Sequence, residues 1–110
     1  MSEIVLTSDN FEEEVLNSEI PVLVDFWAPW CGHCRIMTPV VKRIADEGEG
    51  SYKVGKVNID EQEAIASEYM IMSIPTFKVF VNGNNTGTML GVRRSSELKK
   101  MLERGENNEI

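Results

Sequence analysis

The chain has two cysteines, Cys31 and Cys34, and one histidine, His33, which stands between them. In Trp30-Cys31-Gly32-His33-Cys34 the two-residue spacer puts both sulfurs on one face of a first helical turn. There they can close a disulfide or open to a dithiol. A helix start carries about half a positive charge and unsatisfied N–H groups. Both favour a thiolate, so the leading cysteine should ionise more easily than a free one. Cys31 is therefore the expected nucleophile and Cys34, a turn deeper, the expected resolving thiol. His33, as a cation or as a neutral donor, is placed to stabilise the Cys31 thiolate; a solvated loop histidine is the plainer alternative. Stabilising the thiolate stabilises the reduced pair and makes the disulfide more oxidising.

One such pair cannot serve as the framework of a small secreted scaffold, which needs more cysteines. Structural zinc takes four ligands, and no second Cys or His cluster is present, so no metal site is expected. A metal-bridged dimer would have to borrow ligands from a second chain.

Asp25 is the second anomaly. It interrupts the apolar run Val22-Leu23-Val24-Asp25-Phe26-Trp27 and by alternation shares a face with Leu23 and Trp27. A carboxylate buried there should have a raised pKa. It is a candidate general base that takes the Cys34 proton, through water. The structural alternative is an ion pair, with Lys56, which interrupts the third strand in the same way, as the candidate partner.

These residues need a scaffold of one domain at 110 residues, and 42% hydrophobic content is enough for a buried core. The order of elements reads β-α-β-α-β-α-β-β-α. Ile4–Leu6 is a short strand, and Ser8, Asp9 and Asn10 offer N-cap chemistry to a helix over 10–17. Val22–Trp27 is a central strand, opened by Pro21. A helix follows from Cys31 to about Glu47, with Ile36, Val40, Val41 and Ile44 inward, a kink at Pro39 and an end at Gly48 and Gly50. Strands are expected at 54–59, 76–81 and 86–90, the last two joined through Asn82-Gly83. A short helix spans 61–69. A last one starts at Ser95 or Ser96 and carries Leu98, Met101 and Leu102; the tail from Gly105 to Ile110 reads as frayed. Three strands separated by helices imply right-handed crossovers and a parallel group, and the hairpin makes the sheet mixed.

A net charge of −7 argues against nucleic-acid binding. No apolar run reaches the length of a membrane span. The first residues have neither a basic start nor a long apolar stretch, so a cytoplasmic protein is expected; a mature chain trimmed of a leader would read the same.

The segment Val24-Asp25-Phe26-Trp27-Ala28-Pro29-Trp30-Cys31-Gly32-His33-Cys34-Arg35 closely resembles the active-site stretch of thioredoxins. Pro39, Lys56-Val57-Asn58-Ile59-Asp60, Ile74-Pro75-Thr76 and Gly91 match further motifs of that family, in order and without gaps, from about residue 3 to 103. The resemblance implies an α/β thioredoxin fold, with a central five-stranded mixed sheet flanked by four helices. It implies reduction of protein disulfides by a reversible Cys31–Cys34 pair, with no other cofactor and a thioredoxin-reductase-type electron donor. Pro75 would be cis and lie against the disulfide. Ile74 would offer its backbone to an extended substrate segment, and Trp30, Ile74, Gly91 and Val92 would line an apolar docking groove. Gly32, His33, Pro75 and Lys56 would tune the pair. A monomer is expected.

The chain departs from the family pattern in places. Its spacer is Gly-His, as in protein disulfide isomerases, where thioredoxins have Gly-Pro, so an isomerase or oxidase is the alternative function. A non-catalytic binding subunit is another. Ser73 and Asn85 replace a common glycine and a common apolar residue. Arg93 and Arg94 put positive charge near the groove, either to select acidic partners or as ordinary helix-entry charge. Met70 and Met72 are groove or core residues.

Overall fold

The computed structural model describes residues 2–108. Five strands form one sheet in the order β1-β3-β2-β4-β5. They are β1 (Ile4–Val5), β2 (Val22–Trp27), β3 (Lys53–Asn58), β4 (Thr76–Val81) and β5 (Asn84–Leu90). β1 and β2 run parallel to β3, while β4 is antiparallel to both β2 and β5. The helices are α1 (Gly32–Gly48), α2 (Glu63–Glu68) and α3 (Ser95–Asn108), with a π-helical segment at Glu12–Leu16. This is the mixed α/β architecture expected, and among the described residues no helix is long and apolar enough to cross a membrane.

β2 is central because Val22, Leu23, Val24 and Phe26 are buried on both faces of the sheet. On one face Leu23, Phe77 and Val79 pack with Met37, Val41 and Ile44 of α1 and with Leu98, Met101 and Leu102 of α3. On the other, Val22, Val24, Phe26 and Phe80 pack with Phe11, Val15 and Ile65. Tyr69 joins that second layer with its ring 5.4 Å from Phe80, edge to face.

Several local expectations are corrected. Ile36 is 56% exposed; the inward stripe of α1 is Cys34-Met37-Val41-Ile44, and Ile36 lies a third of a turn off it. The segment over 10–17 is not an α-helix capped by Ser8, Asp9 or Asn10. The Asn17 N–H bonds the Glu12 carbonyl at 2.8 Å, five residues back, and Asn10 instead accepts the Thr7 N–H and donates to the Val5 carbonyl. α1 does end at Gly48, but the left-handed cap that follows is Glu49, at φ 41°. β5 begins two residues earlier than expected, because Asn84 and Asn85 pair with Val81 and Phe80 across the Asn82-Gly83 turn, next to an irregularity at Val79/Phe80. Residues 105–108 are helical rather than frayed, and Gly105 is buried against the sheet. The expectation for 109 and 110 lies outside the described residues.

Candidate active site

Three loops meet at one end of the sheet because of strand direction. β2 ends at Trp27 and leads into the Cys31 turn, where the Cys31 N–H donates to the Ala28 carbonyl at 3.2 Å. β4 runs the other way, with Thr76 opposite Phe26, so the 73–75 loop enters at the same end. β5 reverses again, with Leu90 opposite Thr76, and returns Gly91 to the site. The Gly91 N–H donates to the Pro75 carbonyl at 2.9 Å. Its φ of 81° is a conformation that glycine adopts without steric cost.

Cys31 and Cys34 are joined as a disulfide, with Cα atoms 5.2 Å apart. Cys31 is the N-cap of α1, extended at φ −89° and ψ 114°, and its Sγ accepts the Cys34 N–H at 3.1 Å. A thiolate formed there on reduction would find a donor already in place, at the positive end of the helix. Both cysteines are largely buried, packed on Ala28 with Trp27, Ile59 and Ile74 around them. The Ile74–Pro75 bond is cis, and the Ile74 carbonyl oxygen lies 3.8 Å from the Cys31 Sγ. Gly32 and His33 are exposed on the first turn of α1. The neighbouring Arg35 is tied back by Nη1 to the Pro29 carbonyl at 3.0 Å.

Asp25 is 3% exposed, on the sheet face between Leu23 and Trp27. The register pairs it with Lys56 on β3 and Phe77 on β4. Burial raises its pKa from 3.8 to about 7; the Lys56 charge opposes this rise and the Glu3 carboxylate adds to it. The ion pair between Asp25 and Lys56 considered from sequence is not formed. Lys56 Nζ instead lies 3.9 Å from Glu3 Oε2 and 4.7 Å from the centre of the Trp27 ring. Among the described residues, Asp25 Oδ1 has no hydrogen-bond partner.

The rim of the site is apolar. Trp30 is 65% exposed, and its indole Nε1 donates to Asp60 Oδ2 at 2.9 Å. A cleft of about 310 Å³ is lined by Trp30, Ile59, Ile71, Met72, Ser73 and Ile74. Gly91 and Val92 do not line that cleft and join the site through the Gly91–Pro75 hydrogen bond. Neither Met70 nor Met72 is core, at 78% and 93% exposure, and of the two Met72 lines the cleft. Arg93 and Arg94 are engaged at the entry to α3. Their guanidinium groups each lie 3.6 Å from the Glu97 carboxylate, which also accepts the Arg94 N–H at 2.9 Å. Sequence reasoning gave no role to Asp60 or Glu3. Each is brought to the site by a contact between distant segments, and a single acidic residue in sequence carries no signal of that. Among the described residues, no group of three or more metal-ligating side chains is gathered.

A disulfide set within the first turn of a helix, at the end of the central strand of a mixed sheet, defines a thiol–disulfide oxidoreductase. The family model described as Thioredoxin matches residues 2–104. The chain is 48% identical over 104 residues to the thioredoxin of Porphyra purpurea, covering 94% of this chain and 97% of that one. It is 48% identical over 99 residues to thioredoxin 1 of a Nostoc species, covering 90% and 92%. Against the thioredoxin of Rickettsia bellii it is 48% identical over 105 residues, 96% of either chain. The chain belongs to the thioredoxin family.

Proposed function

We propose that the protein reduces disulfides in other proteins, with Cys31 as nucleophile, Cys34 as resolving thiol and Asp25 as proton acceptor. The observation that carries this reading is the placement of the Cys31 sulfur, which caps α1 by accepting the Cys34 N–H and sits beside an apolar cleft. An extended substrate segment docks against Trp30, Ile74, Gly91 and Val92. The Cys31 thiolate attacks one sulfur of the substrate disulfide. A new S–S bond forms, the substrate bond breaks, and the departing sulfur takes up a proton. Cys34 then gives its proton to Asp25 and attacks Cys31 Sγ, releasing the second substrate thiolate, which is protonated in turn. Two electrons pass to the substrate and remain as two thiols, while the protein is left oxidised. A thioredoxin-reductase-type donor restores the dithiol. Such turnover needs a reducing compartment, which favours the cytoplasm. We propose a single-domain monomer.

The test uses insulin as the disulfide substrate and dithiothreitol as the electron source. Wild-type protein should accelerate insulin reduction. Cys31→Ser should abolish the acceleration, and Cys34→Ser should accumulate a mixed disulfide visible by mass. Full activity in Cys31→Ser would overturn the mechanism and favour a binding subunit. The exposed Gly32-His33 spacer favours the isomerase reading instead, and a reduction potential measured against a dithiol buffer separates the two. A potential at the reducing end of the family range supports reductase, with Gly32, His33, Pro75 and Lys56 as minor tuning groups. One near the isomerase end shifts the assignment.

A further inference from the structure

Lys56 faces two carboxylates and is paired with only one of them. It stands opposite Asp25 in the β2–β3 register, yet its ammonium lies 3.9 Å from Glu3 Oε2. Glu3 reaches it because β1 runs parallel to β3 with Val5 opposite Lys56; Glu3, two residues earlier, falls on the same face. The two side chains are 19% and 21% exposed, so their attraction is only partly screened by water. The Trp27 ring, 4.7 Å from Nζ, gives the ammonium a second contact away from the strand's own carboxylate. Asp25 Oδ1 is left buried with no hydrogen-bond partner among the described residues, and so is Glu3 Oε2, which has the ammonium as its ionic neighbour.

We propose that Glu3 is a positioning residue for thiol–disulfide exchange: its carboxylate holds the Lys56 ammonium off Asp25 and keeps Asp25 unpaired. This rests on the reading of Asp25 as the acceptor of the Cys34 proton. An Asp25 ion-paired with Lys56 would stay ionised down to low pH and would be a weak base toward a thiol. With Lys56 held by Glu3, Asp25 keeps the raised affinity for protons that its burial creates. The groups facing Asp25 are few. Lys56 approaches from β3 and Glu3 from ahead of β1, β4 presents Phe77, and on α1 the Cys34 sulfur is tied in the disulfide.

The experiment titrates the Asp25 side-chain carboxyl by carbon NMR in the oxidised protein, where neither cysteine titrates. The resonance is assigned by its absence in Asp25→Asn. Glu3→Gln keeps the shape of the side chain and removes its charge. It should lower the Asp25 midpoint by about half to one pH unit. In a Lys56→Met background the same Glu3→Gln change should give a clearly smaller shift, the part owed to direct repulsion between the two carboxylates, because the ammonium it positions is gone. An unchanged midpoint in the single variant overturns the proposal. So does an undiminished shift in the Lys56→Met background, which would mean that Glu3 acts only by direct repulsion. The titration involves no turnover. Failure of Asp25 as the base is read separately, as Asp25→Asn kinetics with an undiminished second step.

Discussion

Asp25 is the residue where stability and chemistry pull in opposite directions. Its carboxyl is easiest to bury when protonated, and burial lifts its pKa from 3.8 to about 7. Between those values the folded protein holds a proton that the unfolded chain has lost, so stability falls as pH rises through that window. The loss approaches about 4 kcal/mol once the group is ionised in both states. Asp25→Asn should therefore unfold at higher denaturant concentration than wild type at pH 8. That gain should shrink toward zero near pH 4, which chemical denaturation at the two pH values checks. The same variant should slow the Cys34 attack on the mixed disulfide near neutral pH, in stopped-flow measurement of the second step. The anomaly of this residue was visible in the sequence as a lone carboxylate in an apolar run. Its juxtaposition with Lys56 was legible too, from the way Lys56 interrupts the third strand; the absence of an ion pair between them was not. Strand register brings Lys56 opposite, while Glu3, on a third segment, takes the ion pair, and no local pattern encodes that choice.

At the level of elements, α2 ends in an unusual way. The Ile71 N–H returns to the Ala66 carbonyl at 2.9 Å and the Met70 N–H to Ser67 at 3.1 Å, leaving Met70 at φ 52°. This is the helix-ending position where glycine is most often found. A left-handed conformation costs a residue with a Cβ about 1 kcal/mol. Met70→Gly should stabilise the fold by about that amount, in equilibrium denaturation, while removing a side chain that is 78% exposed. The sequence was most legible where burial dictates pattern. Val22–Trp27 and Thr76–Val81 match their expected bounds because each is a nearly continuous apolar run. It was least legible where hydrogen-bond register decides. The Glu12–Leu16 segment has the same amphipathic spacing, Phe11 with Val15, whether its bonds run four residues back or five. On the inner face of α1, Val40, Val41 and Ile44 pack against the core as expected, and only Ile36 was misjudged, because it is as apolar as its buried neighbours. Only the start of the helix at Cys31, with Cys34 inward, fixes which stripe faces the sheet. Of the candidate site, the motif residues were readable, while the Trp30–Asp60 tie depends on two loops meeting.

Across the whole molecule, α3 covers the outer half of the sheet and relies on close approach to do so. A Cβ at Gly105 would collide with Thr86 Oγ1 and lie 3.2 Å from both Val79 Cγ1 and Val81 Cγ2. Gly105→Ala should cost about 1–3 kcal/mol of stability, read as a lower thermal midpoint, with insulin reduction per folded molecule unchanged. The strand order has a consequence for how the protein breathes. β2, which leads into the disulfide turn, is hydrogen-bonded on both sides, by β3 and by β4, whereas β1 and β5 are edges. Edges open at small free-energy cost, and a doubly flanked inner strand opens only with global unfolding. The reactive sulfurs are thus tethered to the strand whose amides should exchange slowest, and fraying at the β1 margin reaches them only through Glu3 and Lys56.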